Sequence, residues 1–171
     1  MTHNSNNYNN DNNGKDKFMK KQQKKYVYKP IKEFDLIEMV AYLHENGSAK
    51  IENELTRELS KSRRTVYRMI EKICPFDVIS LSPASDFRTV VHFNHNLSNR
   101  NLDHAYATTG KFPALYVFLK GLKKNDIVLI SDIQKWLSCD EKAAIATRNE
   151  IMNTTYVVDF EISDDDPYWF E

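Results

Sequence analysis

Between residues 61 and 68 the chain reads Lys61-Ser62-Arg63-Arg64-Thr65-Val66-Tyr67-Arg68. A guanidinium is a planar fork of donors that matches phosphate oxygens or the O6/N7 edge of guanine. Two hydroxyls and a phenol ring among these cations widen that chemistry to hydrogen bonding and stacking. Further cations lie at Arg88, with Ser85 close by, and at Lys20, Lys21, Lys24 and Lys25 in a lysine-rich N-terminal stretch. All of these suit a polyanion. The residues that could do other chemistry are scattered. His3, His44, His92, His95 and His104 have neither HExxH nor zinc-finger spacing. His92 and His95, with Asp103, are the set that could be drawn as ligands, and histidines in strands and connecting segments are more often structural or solvated. No Gly-rich phosphate loop, nucleophile elbow or carboxylate pair stands out. The expectation is therefore a protein that binds, with no catalysis, no metal and no cofactor. Cys74 and Cys139 form no CxxC pair and read as two semi-buried small apolar residues of a reducing compartment.

The elements that must position the cations come from periodicity. Phe34, Ile37, Val40 and Ala41 share a helical face that Leu36, Met39 and Leu43 widen, and Gly47 is a stop. A second helix is expected from Glu52 to Leu59, held by Leu55 and Leu59. A third starts after Ser62, a good N-cap, and runs to Ile73 along Val66, Met69, Ile70 and Ile73. With that stripe in the core, Arg64 and Arg68 point away from it together. Pro75 ends the helix. The period then changes to strand-like in Val78–Leu81 and Thr89–Phe93, with turn chemistry from Pro83 to Asp86 between them.

The run from Ile51 to Ile73 resembles the helix-turn-helix of bacterial winged-helix regulators, of the DeoR-like and sugar-operon kind. Ile51, Leu55, Leu59, Ser62, Arg63, Arg64, Thr65, Val66, Arg68 and Ile70 carry the likeness. It covers roughly 60 residues, with the hairpin as the wing, and implies a major-groove reading helix. Thr56, Ser60 and Lys61 depart from the pattern. Ser60 replaces the customary turn glycine, which matters because a positive φ there is unfavourable for any residue with a Cβ.

The element order recurs about 78 residues later. Phe34 meets Phe112, Leu59 meets Leu137, Ser60 meets Ser138 and Ile73 meets Ile151. The second set is expected as a helix from Phe112 to Leu122, a short helix through Leu137 opened by a Ser131/Gln134 capping box, a helix from Asp140 to Asn153, and a strand from Tyr156 to Ile162. Trp136, Tyr168, Trp169 and Phe170 read as core or as an interface.

The expected architecture is α+β and mostly helical: two tandem winged helix-turn-helix units, three helices plus a β-hairpin each, after a disordered arm. The divisions are an Asn/Lys-rich arm at 1–25, the first unit at 26–97, a polar linker at 98–111 and the second unit at 112–171. The arm's first 14 residues hold seven Asn, and its second part holds six Lys, too little apolar surface to offset ordering entropy. Lys plus Arg and Asp plus Glu both total 24, so the chain is formally neutral. The charge is uneven: +4 over residues 1–25, +1 over 26–100 and −5 over 101–171. The basic end suits phosphate. The acidic end, with Asp164, Asp165 and Asp166 where a wing tip would fall, suits packing, dimerisation or a protein partner. No apolar run reaches the ~18 residues of a membrane span, no secretory signal is visible, and a cytoplasmic location is expected.

The functional expectation is sequence-specific binding of double-stranded DNA by a small transcriptional regulator of bacterial, plasmid or phage type, acting as a homodimer. The Asn- and Lys-rich composition suits an AT-rich genome or a mobile genetic element. Overall neutrality favours the alternative, a winged-helix protein-interaction module without DNA readout. An origin-binding accessory protein of replication or conjugation is a third reading.

Overall fold

Helix α1 (Glu33–Asn46) buries Leu36, Ile37, Met39, Val40, Ala41 and Leu43. Those positions cover well over half the turn of a 3.6-residue helix, so α1 is central and not a surface helix. Gly47, at φ 76, takes the left-handed turn that ends it, and its amide donates to the Leu43 carbonyl at 2.8 Å. The computed structural model describes residues 29–86 and 88–154, and the backbone of 162–163. The arm at 1–25, the strand expected from Tyr156 except its last residue, the Asp164–Asp166 turn, and Tyr168, Trp169 and Phe170 lie outside the described residues.

The chain is α+β, mostly helical, with a small three-stranded antiparallel sheet. After α1 come β1 (Ser48–Lys50), a wide turn over Ile51–Leu55, α2 (Thr56–Glu58) and α3 (Arg63–Ile73). Strands β2 (Ile79–Pro83) and β3 (Thr89–Phe93) form the hairpin. The strand order is β1-β3-β2, with Ser48 opposite His92 and Ile79 opposite Phe93. Strand β1 is an addition to the expected elements. Its three residues are too few for a period-2 pattern, and pairing with β3 makes it a strand. The second helix also starts later than expected. Glu52 (ψ 136) and Asn53 (φ 76) are not helical, and the Glu54 carboxylate accepts the Lys50 amide at 2.8 Å to open the helical turn.

The segment read as a linker, 98–111, is largely a helix, α4 (Asn99–Thr109). Its polar, Asn-rich sequence conceals Leu102, Ala105 and Tyr106 at helical spacing, and the first two are buried. Gly110, at φ 58, ends it. Then follow α5 (Pro113–Lys124), β4 (Val128–Leu129), α6 (Ile130–Leu137) and α7 (Glu141–Met152). The α6 start is not the Ser131/Gln134 box; instead the Asp132 carboxylate accepts the Leu129 amide at 3.0 Å. Strand β5 (Ile162–Ser163) pairs with β4 in parallel, whereas β1 pairs antiparallel with the second strand of its hairpin.

The 78-residue correspondence extends to local geometry. The buried α1 positions Leu36, Ile37, Met39, Val40, Ala41 and Leu43 fall on Ala114, Leu115, Val117, Phe118, Leu119 and Gly121, all buried in α5. Ser60 and Ser138 are both left-handed, at φ 49 and 50. Ser62 Oγ accepts the Thr65 amide at 3.2 Å, and Asp140 Oδ1 accepts the Ala143 amide at 2.8 Å. Glu54 and Asp132 each accept an amide upstream of the second helix of their set, from Lys50 and from Leu129.

Both sets share one hydrophobic core, which runs from Leu36 through Phe76 and Phe118 to Ile151. Helices α1 and α5 pack together in it. Glu33, the first residue of α1, accepts the Leu115 amide of α5 at 2.8 Å. It therefore caps a helix 82 positions away along the chain. Trp136 is partly buried against this core. Of the cysteines, Cys139 is half-buried but Cys74 is exposed, on the turn that follows α3, so the semi-buried reading fails for Cys74. Among the described residues no helix is long and apolar enough to cross a membrane.

Candidate nucleic-acid interface

Helix α3 is set by its caps and its stripe. Val66, Met69, Ile70 and Ile73 are buried at i, i+3, i+4 and i+7. Ser62 caps the N-terminus, and its hydroxyl lies 2.9 Å from that of Thr65. The face left over carries the cations: Arg63 and Arg64 are exposed on the first turn, and Thr65, Tyr67 and Arg68 are half-buried. The turn before α3 needs a left-handed residue, and Ser60 supplies it in place of glycine.

Tyr67 aligns the hairpin with α3. Its hydroxyl donates to Thr89 Oγ1 at 3.3 Å, so the start of β3 lies beside the first turns of the helix. Arg88, one residue earlier, is exposed at the hairpin end, as is Ser85. The Ala84 amide closes the turn on the Arg88 carbonyl at 2.7 Å. Asp86 lies between Lys50 Nζ at 3.2 Å and Arg88 Nε at 3.6 Å. Desolvation raises the Asp86 pKa, but the Lys50 and Arg88 hydrogen bonds and charges outweigh it and hold the carboxyl below its usual range.

Other cations of the face also have carboxylate partners. Arg63 Nε lies 2.9 Å from Glu52 Oε1, and its guanidinium sits 5.6 Å from the Tyr67 ring centroid. The second Glu52 oxygen is buried with no hydrogen-bond partner among the described residues. Lys61 Nζ lies 2.9 Å from Asp35 Oδ1. Of the expected residues, then, Ser62, Arg63, Arg64, Thr65, Tyr67 and Arg68 lie on α3 and its cap, Lys61 directly precedes them, and Arg88 adjoins through the Tyr67–Thr89 bond. Arg63, Lys61 and Arg88 are charge-compensated there. Lys20, Lys21, Lys24 and Lys25 lie outside the described residues.

Sequence reasoning missed Lys29 and Lys32. Residues 29–32 lead into the start of α1 and line a groove with Lys61, Thr65 and Arg68. No local pattern marks them, because what brings them to α3 is the packing of α1. His92, His95 and Asp103 sit in separate settings: His92 Nε2 is 2.6 Å from Ser82 Oγ, His95 stacks edge-on against Phe93, and Asp103 accepts from Tyr116 and Lys120. Among the described residues no group of three or more His, Cys, Asp or Glu side chains converges.

The position equivalent to α3 in the later set is different. Helix α7 opens with Glu141, Lys142 and two alanines, and Arg148 bonds Asn149 at 3.0 Å. Its first turn carries one acid and one base where α3 carries two arginines.

The chain matches no protein-family model, no curated protein and no solved structure.

Proposed function

We propose that α2, α3 and the β2–β3 hairpin act as a winged helix-turn-helix that binds double-stranded DNA, and that the chain is a small transcriptional regulator. The observation that carries this reading is the first turn of α3. A side-chain-capped helix with one face buried presents Arg63 and Arg64 outward, with Arg88 held beside it through the Tyr67–Thr89 hydrogen bond. A major groove admits one such helix, led by its N-terminal residues. In the same reading α5, α6 and α7 are a second, winged-helix-like unit that does not grip DNA, and the opening of α7, with Glu141 and Lys142 where α3 has Arg63 and Arg64, supports that division. The acidic excess of the later half falls in residues 155–171, which carry six acidic and no basic residues; that stretch suits a basic protein surface.

The test is Arg64→Ala and Arg68→Ala in the full chain, measured by fluorescence anisotropy on a selected duplex. A base contact by either side chain is worth about 1–3 kcal/mol, concentrated at one base pair. Unchanged affinity in both variants, with the fold intact, overturns the reading. The full chain is needed because both sets of helices share one core.

A second reading, a protein-interaction module without DNA readout, is favoured by the ion pairs Arg63–Glu52, Lys61–Asp35 and Arg88–Asp86. Phosphate must compete with a carboxylate already at each cation. Log affinity against log salt separates the two readings: a binder of several phosphates loses affinity steeply with salt.

A further inference from the structure

A groove of about 650 Å³ runs between residues 29–32, the start of α1 and the first turns of α3. Its apolar lining is Pro30, Ile31 and Phe34. Its polar lining is mostly cationic, with Lys29, Lys32, Lys61 and Arg68 and the Thr65 hydroxyl. One carboxylate, Asp35, is also present, and it is already paired with Lys61. The groove therefore combines an excess of positive charge with an apolar lining. Its volume lies within the ~300–1,000 Å³ range of small-molecule sites, which are also mostly apolar with a few polar groups fixing orientation.

We propose that this groove binds a small amphipathic anion, a ligand with an aromatic or aliphatic body and a carboxylate, sulfonate or phosphate head. The body covers Pro30, Ile31 and Phe34, and the head lies against Lys29, Lys32 and Arg68. Charge complementarity selects the sign of the head. The apolar lining selects against a bare anion, since inorganic phosphate would leave Phe34 and Ile31 in water. Residues 1–25, with six Lys and two acidic residues, are of the wrong sign to fill it. Thr65 and Arg68 line the groove and belong to α3, so a bound ligand occupies part of the proposed DNA face. That consequence, unlike the site itself, rests on the reading above.

The probes are 8-anilinonaphthalene-1-sulfonate and its uncharged relative N-phenyl-1-naphthylamine, titrated by fluorescence into the full chain without DNA. The expected result is saturable binding of one sulfonate per chain, about tenfold tighter than the neutral probe. The double variant Lys29→Glu with Lys32→Glu changes two exposed side chains and should weaken sulfonate binding by about tenfold or more while leaving the circular dichroism unchanged. Equal binding of the two probes, no saturable binding, or unchanged affinity in the double variant overturns the site. A triple variant, Asp164→Asn, Asp165→Asn and Asp166→Asn, asks whether the chain's own acidic end is the occupant. Unchanged sulfonate affinity there supports a small-molecule site, and tightening by about tenfold or more overturns it in favour of that segment. DNA plays no part in these titrations, so their failure leaves the Arg64 and Arg68 test untouched.

Discussion

Replacing Glu33 by glutamine should make the protein more stable at pH 8 and leave it nearly unchanged at pH 4.5. The Glu33 carboxyl is half-buried at the α1–α5 junction, where it accepts the Leu115 amide at 2.8 Å. Burial is the largest influence and disfavours the charged form; the Leu115 hydrogen bond opposes it, and nearby Glu150 adds to it. The pKa is raised from 4.5 to about 7. A folded-state value above the unfolded one means that the folded chain binds more protons between the two. Stability from this group is thus fully present below pH 4.5 and is lost as pH rises through about 7. At about 1.4 kcal/mol per pH unit the loss is roughly 3 kcal/mol at most, and solvent reaching a half-buried carboxyl reduces it to about 1–2 kcal/mol. Glutamine keeps the acceptor for the Leu115 amide and cannot ionise. Urea denaturation from pH 4.5 to 8 should therefore show the two proteins together in acid. At pH 8 the variant's midpoint should lie higher by about 0.5–1 M, for a slope of about 2 kcal/mol per M. The difference curve isolates Glu33 from every group the two proteins share. Parallel curves across the range, or a variant less stable at pH 8, would refute the reasoning.

Three further outcomes follow from local geometry. Ser60→Gly and Ser138→Gly, at φ 49 and 50, should each stabilise by about 0.5–1 kcal/mol, because the left-handed cost of a Cβ exceeds the entropy cost of glycine; a loss of stability in thermal denaturation would show these turns to be unstrained. Ser62→Ala and Asp140→Ala each remove the acceptor of an N3 amide and should each cost about 1 kcal/mol in urea. Tyr116→Phe removes the 2.6 Å donation to Asp103 and should cost about 1 kcal/mol at neutral pH. Desolvation raises the Asp103 pKa, but the Tyr116 and Lys120 hydrogen bonds outweigh it and leave it below 3.8, so this stabilisation is lost as pH falls through that depressed value. The gap between wild type and Tyr116→Phe should close in strong acid, and a constant gap would argue against the ionised acceptor.

Much of the first helical set is legible along the chain because its signals are local. Helix α3 could be bounded by the Ser62 cap and the stripe ending at Ile73, and α1 by its apolar face and Gly47. The hairpin follows from two β-branched runs around a turn, and the exposed position of Arg64 follows from the helix period, whereas Arg68, expected to point outward with it, is half-buried. The 78-residue recurrence was visible in four identities, and the paired caps and left-handed serines agree with it. Other features were decided by tertiary structure. Strand β1 exists because β3 lies beside it, and α4 forms in a polar, Asn-rich stretch because Leu102 and Ala105 find the core. The α5 cap comes from Glu33, 82 positions away. Arg63 and Lys61 were read as ready for phosphate, and the structure pairs them with Glu52 and Asp35. Lys29 and Lys32 join the face through the packing of α1. Caps and periodicity involve residues within about a turn of one another, so they are written in the sequence. Ion pairs, grooves and burial depend on which surfaces meet after the chain has folded back, and the identities of neighbours along the chain do not carry that information.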